Sequence, residues 1–153
     1  NWPASRFAEV GRALQAELGA SIFLIGSDVD RPICESIAAG LARKATNLCG
    51  TTTLVELGSL LQEMDLLISV DSGPMHMAAA LKVPVLAIFG ATDPIRTGPY
   101  GAIHRVLTAD GLDCRPCRSR VCARNDLACL EQITAGHVIA TARQMLTAGK
   151  PSM

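Results

Sequence analysis

Short apolar runs alternate with amphipathic helical segments along the whole chain, and this alternation restricts its folding more than any other feature. Residues 5–18 place Phe7, Val10, Leu14 and Leu18 at helical spacing, with Ser5 as a candidate cap and Gly19 as a stop. The run from Ser21 to Ile25, closed by Gly26, is short and apolar and reads as a buried parallel strand. Residues 32–43 follow as a helix with Pro32 near its start and Ile33, Ile37 and Leu41 on one stripe. A short strand is expected at 46–49. A helix follows over 53–63, with Leu54, Leu57, Leu60 and Leu61 inward and a Thr53/Glu56 capping box. Leu66–Val70 is the clearest strand. It runs through Asp71-Ser72-Gly73-Pro74 into a helix ending near Leu81, and Val83–Phe89 is the next strand. Ala91–Gly101 reads as a loop, Ile103–Leu107 as a last strand and Glu131–Leu146 as a closing helix with Ile133, Val138, Ile139 and Met145 mostly inward. Strand and helix in alternation imply an α/β fold, a Rossmann-like doubly wound parallel sheet covered on both faces.

Composition narrows the function classes. The 153 residues suffice for one domain with a real core, and no repeat or linker interrupts them. Fourteen basic residues balance fourteen acidic ones, so the basic excess that a nucleic-acid or acidic-membrane surface requires is missing. Aromatics at 3% leave little for base-stacking platforms. Apolar runs fall far short of the ~20 residues that span a bilayer, so no transmembrane segment is expected. Asn1-Trp2-Pro3 opens no signal peptide, and the absence of a starting Met suggests that residue 1 is a processing or cloning boundary.

The chemistry concentrates on Val70-Asp71-Ser72-Gly73-Pro74-Met75-His76. In open parallel sheets ligands sit beyond the carboxyl ends of the strands, where Asp71 falls. Ser72 is a good N-cap, Gly73 permits close backbone approach and Pro74 suits a first helical turn, where no N–H is needed. Free amides and the positive end of the helix dipole attract phosphate. Helical side chains lean toward the N-terminus, so a first-turn His76 reaches the same ligand. The competing reading is a plain capped helix with a satisfied surface histidine. The glycine-rich dinucleotide fingerprint is missing after the first strand.

Asp65–Gly101, DLLISVDSGPMHMAAALKVPVLAIFGATDPIRTGPYG, resembles the signature of glycosyltransferase family 9, the lipopolysaccharide heptosyltransferases. The family pattern is an aspartate, Ser/Thr-Gly-x-x-His, an alanine-rich helix, a Pro-containing strand, Phe-Gly-x-Thr-Asp-Pro and a later Gly-Pro. Trp2-Pro3-x-x-Arg6-Phe7 is similar to the opening of the family's donor domain. The resemblance implies one half of a GT-B fold. Residues 1–153 would be the C-terminal domain that binds the nucleotide-sugar donor, and the N-terminal acceptor domain, with the catalytic base, would be absent. Only Asn1 precedes Trp2, so the family's phosphate-contacting lysine has no counterpart here. Carried over, Asp71, Ser72, Gly73 and His76 would hold the donor diphosphate and its neighbourhood. Asp30 would accept ribose hydroxyls, with Asp28 as the near alternative, and the Thr52 backbone would face the adenine. Thr92 or Asp93, in the loop that runs on to Thr97-Gly98-Pro99, would reach a phosphate or the sugar. For these acids and threonines the competing readings are solvated loop and turn formation.

The implied activity is inverting transfer of heptose from ADP-heptose to the lipopolysaccharide inner core. Ser72 and His76 would stabilise the leaving group, and no cofactor is required, with Mg²⁺ an optional aid. The implied location is cytoplasmic, with peripheral association at the inner membrane and no nucleic-acid partner. Two alternatives stay open: a stand-alone nucleotide-binding or cysteine-cluster module, and a donor domain for another nucleotide sugar. The cysteine segment, Cys114-x2-Cys117-x4-Cys122-x6-Cys129, most resembles the heptosyltransferase II branch. Its four thiols fit a zinc site, two local disulfides or free thiols. Arg115, Arg118, Arg120 and Arg124 interleave with them as a basic patch that could face an anionic acceptor or simply be solvated. Cys34 and Cys49 read as buried small hydrophobes in a reduced protein.

Overall fold

A computed structural model of the chain describes residues 1–148. Packing divides it into two compact units, residues 2–57 and the residues from Gly58 onward, each described by itself.

The first unit begins with α1 (Ala4–Leu18). The helix starts directly from Pro3, whose carbonyl accepts from the Arg6 and Phe7 N–H groups at 3.0 and 3.2 Å. Ser5 therefore lies inside the helix and does not cap it, because the fixed φ of Pro3 has already set the first turn. Gly19 closes α1 at φ 64°, as its position suggests. Trp2 is 2% exposed and meets the Phe7 ring edge-on, centroids 4.8 Å apart.

Strand β1 (Phe23–Leu24) pairs in parallel with β2 (Thr46–Asn47). Between them lie a 3₁₀ turn (Asp28–Asp30) and α2 (Arg31–Ala39). Helix α2 stops at Gly40, earlier than the apolar stripe through Leu41 implies. There it meets α1: a Cβ on Gly40 would stand 2.8 Å from Ala8 Cβ, and Arg12 Nη1 donates to the Gly40 carbonyl at 2.7 Å. Buried Gln15 then takes over the chain, its amide donating to Arg43 O at 3.0 Å and accepting from Arg43 N–H at 3.2 Å.

Cys34 and Cys49 are buried as expected, but they form a disulfide, which corrects their reading as small hydrophobes in a reduced protein. Parallel pairing of β1 and β2 carries Cys49, just past β2, against α2, with Cα atoms 6.8 Å apart. No spacing rule in the sequence could show that approach.

α3 (Leu54–Gln62) opens with the expected capping box: Thr53 N–H donates to Glu56 Oε2 at 2.7 Å and Glu56 N–H to Thr53 Oγ1 at 3.2 Å. Leu61 is buried, whereas Leu54 is 74% exposed and not inward. It sits in the first turn, where the helix has not yet reached its packing face.

In the second unit β3 (Leu67–Val70), β4 (Val85–Phe89) and β5 (Arg105–Thr108) form a parallel sheet in that order, with Leu67 opposite Val85 and Leu86 opposite Arg105. All five residues of the central strand are at most 1% exposed. A strand covered on both faces is apolar throughout rather than alternating, as Val-Leu-Ala-Ile-Phe is. α4 (Gly73–Ala80) connects β3 to β4, and α5 (Pro94–Thr97) interrupts the stretch read as loop. The single closing helix expected from Glu131 is two pieces, α6 (Ala128–Glu131) and α7 (Ala135–Thr147). Thr134 causes the break: its side chain accepts from His137 N–H at 3.1 Å. Ile133 and Val138 occupy the two positions of a hydrophobic staple around that cap, and both are buried.

His104 locks the sheet's start. It is 8% exposed, and its Nδ1 accepts from Val85 N–H at 3.1 Å. Burial lowers its pKa below 6.5, against a raising effect from its hydrogen bond to the Tyr100 backbone. Gly101, at φ 121°, leaves room for the ring, which would lie 3.5 Å from any Cβ there. A lowered folded-state pKa means that the folded form binds fewer protons than the unfolded one. The stabilisation is therefore complete above the unfolded value near 6.5 and lost as pH falls through the lowered one. His104→Leu strands a buried N–H and is expected to cost about 1–3 kcal/mol and to flatten this acid dependence. Urea denaturation of both proteins between neutral and mildly acidic pH checks this, and unchanged acid sensitivity in the variant would sink it.

Candidate functional site

The strand-to-helix corner after β3 is built as the sequence suggests. Ser72 is extended at φ −158° and caps α4, its Oγ accepting from Met75 N–H at 3.4 Å. Its hydroxyl also lies 2.9 Å from Ser69 Oγ, a hydrogen bond in which either can donate. Pro74 lies in the first turn. The space above Gly73 is open, with nothing within 4 Å of where a Cβ would stand, so the backbone there is accessible to a ligand.

Asp71 is the hub. Its side chain is 24% exposed, and Oδ1 lies 3.7 Å from Nε2 of His76, which is half-exposed. Its other oxygen accepts from Thr97 Oγ1 at 3.1 Å. The same hydroxyl lies 3.2 Å from the Asp93 carbonyl oxygen, so its one hydrogen is shared between two acceptors. Asp93 also caps α5, Oδ1 accepting from Ile95 N–H at 2.9 Å, so one of its oxygens already serves as a turn former. Thr92 is half-buried beside it. Thus β3, α4 and α5 bring together Asp71, His76, Asp93 and Thr97. The role of Thr97 was missed as a side-chain contact, because its partner is 26 residues away.

In the other unit, Asp30 folds back over the end of β1. Its Oδ2 accepts from both Ser27 N–H and Ser27 Oγ at 2.8 Å. Gly26 allows this, since a Cβ there would come within 3.0 Å of that carboxylate oxygen. Asp28 instead pairs with Arg31 at 2.7 Å and is largely exposed. Gly50, at φ 70°, packs under that pair, where any Cβ would collide with both partners. Asp30 is thus the carboxylate held in place, and Asp28 the one committed to a cation. Thr52 is half-buried just before the α3 cap.

Cys114, Cys117, Cys122 and Cys129 are free thiols. Among the described residues no group of three or more His, Cys, Asp or Glu side chains is arranged to hold a metal ion. No helix among those residues is long and apolar enough to cross a membrane.

A parallel α/β fold with a Ser-capped helix start beyond β3 defines a Rossmann-like class, and comparison makes the class specific. The model of glycosyltransferase family 9 (heptosyltransferase) matches residues 1–128, and the chain belongs to that family. It is 34% identical over 149 residues to lipooligosaccharide heptosyltransferase 2 of Campylobacter jejuni, covering 95% of this chain and 46% of that protein. It superposes on Escherichia coli ADP-heptose lipopolysaccharide heptosyltransferase II with a TM-score of 0.81 at 27% identity, covering 97% of this chain and 42% of that one. An E. coli heptosyltransferase solved with ADP gives 0.73 at 27% identity, covering 95% and 40%. The chain therefore spans less than half the length of these relatives.

Proposed function

We propose that this chain is the C-terminal, donor-binding part of an inverting heptosyltransferase that transfers heptose from ADP-heptose to the lipopolysaccharide inner core. The observation that carries the reading is the corner at Asp71–His76. It combines a Ser-capped helix start, an open approach over Gly73 and an imidazole leaning back to the same edge. Its likeness to a heptosyltransferase solved with ADP favours an ADP-containing donor.

In this scheme the acceptor hydroxyl attacks the anomeric carbon from the face opposite the diphosphate. The sugar–oxygen bond breaks and ADP departs, while a base in the acceptor half takes the hydroxyl proton. The α4 amides, the Ser72 hydroxyl and the His76 imidazole offset the charge that collects on the leaving diphosphate. Asp71 belongs to the neighbourhood of the same diphosphate. Thr92 and Asp93 border it. Asp30, preset by Ser27, accepts from ribose hydroxyls, and the backbone at Thr52 faces the base. No step here requires a metal. The setting is the cytoplasmic face of the inner membrane, where the acceptor is presented.

Calorimetric titration of the chain with ADP, UDP and GDP tests this. ADP is expected to bind in preference to the others, and His76→Ala to weaken it. Equal binding of all three, or ADP binding indifferent to the substitution, would defeat the assignment.

A further inference from the structure

An acid stands where the donor reading wants an anion. Asp71 directly precedes Ser72, the cap of α4, so its carboxylate shares the corner with the amides that would hold a diphosphate. Like charges in one corner repel, which works against the binding the corner is built for. Each oxygen of the acid, however, has a neighbour. Oδ1 stands 3.7 Å from His76 Nε2, and Oδ2 accepts from Thr97 Oγ1 at 3.1 Å.

The larger share of the Thr97 hydroxyl proton goes to the acid. Its other acceptor, the Asp93 carbonyl oxygen at 3.2 Å, already takes the Arg96 and Thr97 N–H groups, both at 3.0 Å. Two N–H donors fill the two lone pairs of a carbonyl. A carboxylate oxygen is the stronger acceptor because it is charged. Thr97 is also held where it can reach. α5 buries none of its four residues, so packing does little to fix it. Its ends are tied instead. Asp93 caps the start through Ile95 N–H, and Gly98 N–H donates to Pro94 O at 2.8 Å. Gly98 is a glycine for that turn, because a Cβ there would collide with Pro94 O. Thr97 thus reaches across 26 residues from a short, doubly tied turn, and its β-branched side chain has few rotamers to choose from.

We propose that Thr97 is a positioning residue of the donor site: its hydroxyl pins Oδ2 of Asp71 and keeps that oxygen turned from the bound diphosphate, so that an acid is tolerated beside an anion. The inference rests on the donor reading and extends it by one residue that acts only through Asp71. When position 97 cannot donate, the carboxylate turns freely about its Cβ–Cγ bond and presents a bare oxygen to the anion.

Calorimetric titration with ADP at low salt tests this on the parent chain, Thr97→Val, Thr97→Ser, and Asp71→Ala with and without Thr97→Val. Thr97 is exposed, so its replacement leaves the core untouched. Thr97→Val keeps the shape of the side chain and removes the donor. It is expected to weaken ADP binding about fivefold, the scale of one like-charge contact at about 4 Å in water. Added salt should shrink that deficit. Thr97→Ser keeps the hydroxyl and should bind like the parent. Asp71→Ala removes an anion and leaves the α4 amides and His76 in place, so ADP still binds, and in that background Thr97→Val should cost nothing further. A merely structural Thr97 would lower affinity equally in both backgrounds, which overturns the proposal. Full affinity in Thr97→Val overturns it too, as does Thr97→Ser binding as weakly as Thr97→Val. A parent chain that does not bind ADP defeats the donor reading and this inference with it, whereas a parent that binds beside a silent Thr97→Val defeats the inference alone.

Discussion

Replacing His76 by alanine in the complete enzyme is expected to lower kcat by about 10²-fold and to change donor affinity much less. Removing one preorganised donor to a developing oxyanion costs about 10²–10³ in rate. His76 belongs at the lower end, because its side chain is half-exposed and water can partly replace it. The loss should fall more on kcat than on KM, since charge on the diphosphate grows as the sugar–oxygen bond breaks and is complete only on departing ADP. Asp71 Oδ1 stands 3.7 Å from the imidazole Nε2. Single-turnover kinetics with saturating donor separates chemistry from product release. A kcat within threefold of the parent would remove His76 from leaving-group stabilisation.

Phe89→Ala is expected to destabilise the chain by about 3–5 kcal/mol, the range for emptying a fully buried aromatic site. Phe89 is 0% exposed at the end of the central strand, paired with Thr108 on β5. A typical domain holds only about 5–15 kcal/mol in total, so the variant should sit near its unfolding threshold at physiological temperature. Thermal and urea denaturation read this directly. A loss below about 1 kcal/mol would mean that the surrounding side chains collapse into the space and that the sheet is less tightly packed than its burial implies.

What the sequence made legible was local. The backbone build of the corner at Asp71–His76 is legible because strand end, Ser72 cap and first-turn proline lie within one short stretch, and each has its own backbone preference. The α3 capping box was equally readable, with its two partners three residues apart. The hydrogen bond from Thr97 to Asp71 and the Cys34–Cys49 disulfide were not, since both depend on how parallel strands bring distant segments side by side. α5 lay in between. Asp93-Pro94 carries an N-cap followed by a first-turn proline, but the same dipeptide marks turns, and four residues give no periodicity to decide between them. Leu54 misled because helical spacing says which residues share a face and not where along the helix packing begins.

The central strand has a consequence outside the folded molecule. Val85–Phe89 is uncharged, rich in β-formers and wholly covered only once β3 and β5 have paired with it. Parallel pairing across long connections forms late, so a nascent or partly unfolded chain carries this stretch bare for a time. That is the composition from which intermolecular β-stacks grow. Lys82 and Pro84 stand just before it and serve as gatekeepers, a charge and a residue with no N–H to donate to a ladder. Recovery of soluble material should therefore depend on low protein concentration during refolding, and Pro84→Val should aggregate sooner than the parent even where the native fold tolerates it.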